Sequence, residues 1–260
     1  MSDSRSAVRG LWQAYGGYAI GFASLFVVWH LAAVYVVSSV LFPPPAVVWK
    51  KGVVLAKNGV LLEHLAASVK RILAGFIAGS LLGIPIGLVM GSFRPARKVL
   101  EPYTEFLRFI PAVAMITVAV IWFGIGEASK IFLIIYTTIF IVILNTAAGV
   151  SAIAPNKIRA AEALGATRRQ IFFHVAMPAT VPYILTGMRL AMANSFTTIV
   201  AAELIAANEG LGKMLWDGRM FMLVDDIFVS LVTLGLLGFV VDRTFRWGIY
   251  TFAGKYSPVT

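Results

Sequence analysis

The chain has no cysteine, only three histidines and few charges. Without a thiol it forms no disulfide, thiolate nucleophile or thiolate metal site. His30, His64 and His174 are scattered too widely to suggest a histidine metal centre, so no metal site is expected. Charged residues make up 13% of the 260 positions, where a soluble domain carries about 25%. No paired carboxylates lie inside the apolar stretches, which argues against a membrane-embedded acid–base enzyme, and no catalytic residue is assigned. The stretch "GLGKM" at 210–214 lacks the rest of a phosphate loop. Ala207 stands where the first glycine belongs, and no serine or threonine follows Lys213.

What fills the chain is hydrocarbon: 59% of residues are hydrophobic and the mean hydropathy is +0.86. The expected fold class is therefore all-α, a polytopic membrane protein with six transmembrane helices. The spans are expected near 19–41, 68–91, 106–124, 130–153, 180–202 and 224–246. Residues 1–18 and 247–260 are read as cytoplasmic ends, and 19–246 as the transmembrane domain. The first apolar stretch shows no cleavage site, so it is read as an anchored helix rather than a removed signal. Pro43, Pro44 and Pro45 stop the first span, and an amphipathic surface helix is expected after them.

A net charge of +10 suggests loops on the cytoplasmic side rather than nucleic acid. With both termini inside, the inner segments gather Arg94, Arg97 and Lys98, then Lys157, Arg159, Arg168 and Arg169, then Arg243, Arg246 and Lys255. Arg71 and Lys130 count among the fewer outer cations. This is the arrangement of a multi-pass membrane protein with both termini cytoplasmic.

Inside the second span Gly75, Gly79, Gly83, Gly87 and Gly91 recur every fourth residue and draw one stripe along the helix. The stripe suits tight packing within the subunit, or a dimer seam. Pro85 predicts a kink. In the fifth span Arg189 is costly in lipid and either sets the field of an anion pathway or pairs structurally. Asn194, and Asn145 in the fourth span, bond either substrate or neighbouring helices. Glu203 has no obvious acidic partner, and Arg108 is read as an interfacial anchor.

Residues 158–178, "IRAAEALGATRRQIFFHVAMP", break the apolar run with a charged, helix-prone segment. Asn156 is the expected N-cap of a first helix and Gly165 its C-terminal stop. Thr167 caps a second helix, which Pro178 is expected to end. The shape is one for docking into another protein, with Arg168, Arg169 and Gln170 outward and Ile171, Phe172 and Val175 inward.

At these residues the chain resembles the permease subunits of binding-protein-dependent ABC importers, in the nitrate/taurine/aliphatic-sulfonate branch. The branch motif is Glu-Ala-Ala, three residues, Gly, nine residues, Ile-x-Leu-Pro. Ala160, Ala161, Gly165 and Pro178 match it, Val175 and Met177 are conservative replacements, and Arg159 stands in place of the glutamate. "LFPPPAVVW", "HLAASVKRILAGFIAG", "IWFGIGEASKIFLI" and "TIVAAELIAANEGLG" look like the same branch. The third span keeps only Pro111 where such permeases are proline-rich.

The resemblance implies a type I importer permease fold, with coupling helices at about 156–177. It implies docking of two cytoplasmic ATPase subunits on Arg159, Ala160, Ala161, Glu162, Gly165, Ala166, Thr167, Arg168 and Arg169. ATP and Mg would sit on those partners, and no cofactor on this chain. A second permease, expected to be an identical copy, and a periplasmic or lipid-anchored solute-binding protein would complete the assembly in the lipid bilayer. The alternative reading is an ion-coupled secondary transporter, whose uptake would not need ATP.

Overall fold

The computed structural model describes residues 3–36 and 40–253, and among them every regular element is helical. In order these are α1 (Asp3–Leu31), α2 (Pro45–Lys57), α3 (Val60–Ser92), α4 (Arg94–Arg108), α5 (Ala112–Phe123) and α6 (Glu127–Ser151). They continue as α7 (Pro155–Ala163), α8 (Arg168–Ile171), α9 (Met177–Ala206), α10 (Leu211–Met220) and α11 (Val224–Ala253). π-Helical segments prolong α1 (Ala32–Val36) and join α8 to α9 (Phe172–Ala176). Part of the expected first span, residues 37–39, and the end of the expected tail, 254–260, lie outside the described residues.

Five stretches are long and apolar enough to cross a membrane: Gly16–Val36, Val60–Ser92, Glu127–Ser151, Arg168–Ile205 and Val224–Ile249. The third expected span, 106–124, is not one helix. It is the pair α4 and α5, bent by 99°, and the total is six only if the pair counts as one span. Pro111, extended at φ −62° and ψ 141°, has no N–H to continue α4 and starts α5 instead. The 12 residues of α5 cover about 18 Å, short of a hydrocarbon core of about 30 Å. The expected surface helix is α2 alone. Gly59, at φ +80°, turns the chain into α3, whose apolar run starts earlier than the pattern suggested.

Two compact units emerge. In the smaller, Met1–Leu61 with Leu215–Leu231, rings of Phe26, Trp29, Phe42 and Phe228 stack, and the Trp29 indole N–H donates to the Pro43 carbonyl at 3.1 Å. Lys51 pairs with Asp226 at 3.0 Å.

The larger unit, Leu62–Met214 with Val232–Thr260, is organised around α6. The glycine stripe of α3 lies against it. A Cβ on Gly75, Gly79, Gly87 or Gly91 would fall 2.5–2.7 Å from Ile134, Thr138, Thr146 or Val150 respectively, and one on Gly83 would meet Val142 at 3.0 Å. The partners also recur every fourth residue, so the two helices run side by side over some four turns. The stripe is thus a packing surface within this chain. On its other flank α6 meets α9, where Gly149 accommodates Tyr183 and Gly187 accommodates Asn145, each Cβ position being 2.6 Å from the neighbour. Ile72, Phe76, Ile134, Val142, Ala191 and Ile199 are buried between α3, α6 and α9.

Adding a methyl at the stripe forces backbones apart, because at Gly87 one of the blocking atoms is the Ile143 carbonyl oxygen at 2.7 Å. Gly87→Ala is expected to cost about 1–3 kcal/mol. Gly248→Ala, with open space around it, is expected to change stability little. Thermal unfolding of the detergent-purified protein compares the two.

Candidate functional site: a docking segment, two cavities and a buried ion network

The charged segment folds as a helix, a glycine turn and a helix. α7 begins at Pro155, with Ala154 rather than Asn156 as N-cap, because proline at the first helical position lacks only an amide that would go unbonded anyway. It ends in a Schellman motif: the Gly165 N–H donates to the Glu162 carbonyl at 2.9 Å and the Ala166 N–H to the Ala161 carbonyl at 3.0 Å. Gly165 sits at φ +80°, which only glycine adopts cheaply. Thr167 then caps α8 through a capping box: Gln170 N–H donates to its Oγ1 at 3.3 Å, and its own N–H donates to Gln170 Oε1 at 2.8 Å.

Pro178 does not end this second helix. The Met177 N–H reaches back to the Phe172 carbonyl, one residue beyond the α-helical partner, and this widened turn lets the chain pass the proline. The helix from Arg168 to Ile205 is therefore a single rod of 38 residues. No residue of α7 is buried; Arg159, Ala160, Glu162, Gly165, Thr167, Arg168 and Arg169 are exposed, and Ala161 and Ala166 half-buried. Leu164 is 88% exposed. Ile171, Phe172 and Val175 are half-buried, as expected.

The three expected pathway residues part company. Arg189 is charge-paired: its Nε donates to Asp242 at 2.7 Å, and Arg246 donates to the same carboxylate at 2.9 Å. Arg189 and Asp242 line a cavity of about 220 Å³ between α9 and α11. Asn194 lines a different cavity, of about 470 Å³, between the 109–111 corner, α6 and α9. Arg108, Thr137, Thr197 and Thr198 share that cavity, so Arg108 faces it rather than serving only as an anchor. Asn145 lines neither cavity. It packs on Gly187 and donates to the Ile141 carbonyl at 2.8 Å.

At the end of the larger unit away from α7, where α3 and α6 begin and α9 ends, lies a network that sequence reasoning missed. Glu203, 0% exposed, accepts from Ser68 Oγ at 2.9 Å, Arg71 Nη1 at 2.7 Å and the Gly212 N–H at 2.9 Å. Arg71, counted above among the outer cations, is buried. It also grips Glu127 with two bonds of 2.6 and 2.7 Å and donates to the Glu209 carbonyl. Lys130 reaches Glu127 at 3.1 Å. The Gly210 N–H donates to His64 Nδ1 and the Leu211 N–H to Ser68 Oγ, each at 2.9 Å. Gly210, at φ +125°, has the Glu203 carboxylate where a Cβ would go. Two carboxylates and two cations balance, so the buried charge of Glu203 is compensated by a basic partner rather than shared with an acidic one. The available signal was His64, Ser68 and Arg71, spaced four and three residues apart on one face of an apolar helix.

Residues 79–247 match the family described as binding-protein-dependent transport system inner membrane component. The chain belongs to that family. This permease is 40% identical over 215 residues to a probable ABC transporter permease protein of Brucella melitensis, covering 83% of this chain and 87% of that one. It is 39% identical over 228 residues to the taurine transport system permease protein TauC of Escherichia coli, covering 85% and 82%. In fold it is similar to an inward-facing structure of the MetNI methionine ABC transporter. That TM-score is 0.66 at 18% identity, over 74% of the permease and 95% of that chain.

Removing one partner from the buried network strands a charge. Arg71→Met is expected to destabilise the permease by about 3–5 kcal/mol, and adding Glu203→Gln to recover part of that loss. Asp242→Asn, among side chains about 40% exposed, is expected to cost less than about 1 kcal/mol. Thermal unfolding in detergent ranks the three.

Proposed function

We propose that this ABC transporter permease conducts a small polar anion inward and draws its energy from a separate ATPase docked on residues 155–178. Two ATPase subunits hold ATP and Mg, a second and identical permease completes the pathway, and a periplasmic or lipid-anchored binding protein delivers the solute. Resemblance to the taurine permease favours a sulfonate-like or nitrate-like anion. Asn194 lies on the pathway, while Arg189 and Asn145 hold the helices that shape it.

The observation that carries this reading is mechanical. α8 is continuous with a membrane-spanning helix, so a force applied at Arg168 displaces the rod as far as Ile205. α7, braced by the Gly165 turn, offers Leu164 as an apolar contact in a charged surround. ATP-driven closure of the partner dimer becomes alternating access through that lever.

Purification from native membranes in mild detergent tests the docking. An ATPase subunit is expected to co-elute with the wild type and to be lost with Gly165→Pro and with Leu164→Glu, while both variants reach the membrane at normal levels. A wild-type permease that elutes alone, with uptake that survives ATP depletion, would favour an ion-coupled secondary transporter. The absence of native cysteine makes the sidedness test clean. Asn156→Cys is expected to react with an impermeant maleimide only in inverted vesicles, and Asn208→Cys in intact cells.

A further inference from the structure

Two cavities of the larger unit carry an arginine on their wall, Arg189 and the exposed Arg108. Arg71, Arg189 and Arg246 each meet a carboxylate. Arg108 does not. Among the described residues its guanidinium lies 4.5 Å from the Phe109 ring and meets no carboxylate, and no Asp or Glu lines the cavity it faces. An unmatched cation on a cavity between membrane-spanning helices calls for an anion.

The neutral groups around it point the same way. The hydroxyls of Thr137 and Thr198 are engaged, Thr137 with the Leu133 and Ile134 carbonyls and Thr198 with Thr137 and the Asn194 carbonyl. The Asn194 carboxamide and the Thr197 hydroxyl make no hydrogen bond among the described residues, so donors remain to be used on the cavity wall. The Tyr136 hydroxyl donates to the Leu107 carbonyl and reaches that of Ile110 on the other side of the corner. That bond also fixes where Arg108 is held. α5 begins at the same place, with Ala112 and Val113 on the wall, and the positive end of its dipole adds to the field. About 470 Å³ accommodates a small oxyanion with part of its hydration shell.

We propose that this cavity is an oxyanion-binding site on the transport pathway, with Arg108 as its cation and Asn194 and Thr197 as its neutral donors. Its ligand class is a small anion with delocalised oxygen charge: a sulfonate, nitrate or bicarbonate. The assignment rests on the reading of this permease as an anion pathway.

The test is thermal unfolding of the permease purified with whatever co-elutes, titrated with the choline salts of ethanesulfonate, methanesulfonate, nitrate and bicarbonate against choline chloride at equal ionic strength. At least one anion is expected to raise the melting temperature of the wild type above the chloride control. Arg108→Gln is expected to weaken the apparent affinity about tenfold or more, and Arg108→Lys to weaken it less. Thr197→Val, at an exposed position, is expected to weaken it several-fold and serves if Arg108→Gln does not fold. Wild-type protein indifferent to all four anions, or an Arg108→Gln protein with an undiminished shift, overturns the site. Scoring the ATPase in the same preparations separates the two readings. ATPase present without an anion effect removes the site and leaves the importer; an anion effect without ATPase keeps the site and removes the docking.

Discussion

The backbone approach of α3 to α6 underlies the larger unit. Lipid tails are as apolar as leucine, so two helices in a bilayer gain little by hiding hydrocarbon from it. They gain from contact area. Five glycines at every fourth position bring α3 close enough that its backbone touches a row of β-branched side chains on α6, from Ile134 to Val150. Gly149 and Gly187 repeat the device between α6 and α9. With neighbours on both flanks, α6 becomes a fixed reference. Tyr136 can then hold the 109–111 corner, and Thr137 the floor of the larger cavity.

The two ends of this three-helix core are built differently. At one, Arg71, Glu127, Lys130 and Glu203 tie α3, α6 and α9 to the start of α10 through short, charge-assisted bonds. At the other, α7 and the start of α8 stand exposed. α9 connects them, with Glu203 near its far end and the exposed charged segment at its near end. The π turn at Phe172–Ala176 keeps that rod unbroken past Pro178. A displacement of the exposed end is thus carried along a helix whose opposite end is chemically anchored, which favours tilting about the anchor over sliding.

Charge is distributed with the same economy. Arg71 is held by two carboxylates, and Arg189 and Arg246 share one. Arg108, which meets no carboxylate among the described residues, stands at the corner that breaks the third expected span, beside a cavity whose lining holds no acid. A solute that supplies the missing charge transiently is held without being trapped.

Much of this was written locally. The membrane class follows from hydropathy. Most of the spans follow from run length, the turn between α7 and α8 from Gly165 and Thr167, and the family from the pattern around Ala160, Ala161, Gly165 and Pro178, because each depends on residues close together in the chain. The failures share one cause. Arg71 and Glu203 are 132 residues apart, and so an outer cation and a span-end acid could be recognised as one network only after folding. Asn145, Asn194 and Arg189 looked equivalent along the sequence and were sent to a helix seam, a cavity and an ion pair by the rotation of their helices. The sequence determined where most of the helices are and that one charged segment interrupts the apolar run. Which side chains meet across helices, and therefore which charge is left for a substrate, was decided by tertiary packing, since contact between distant residues is set by helix rotation and approach, which no local pattern encodes.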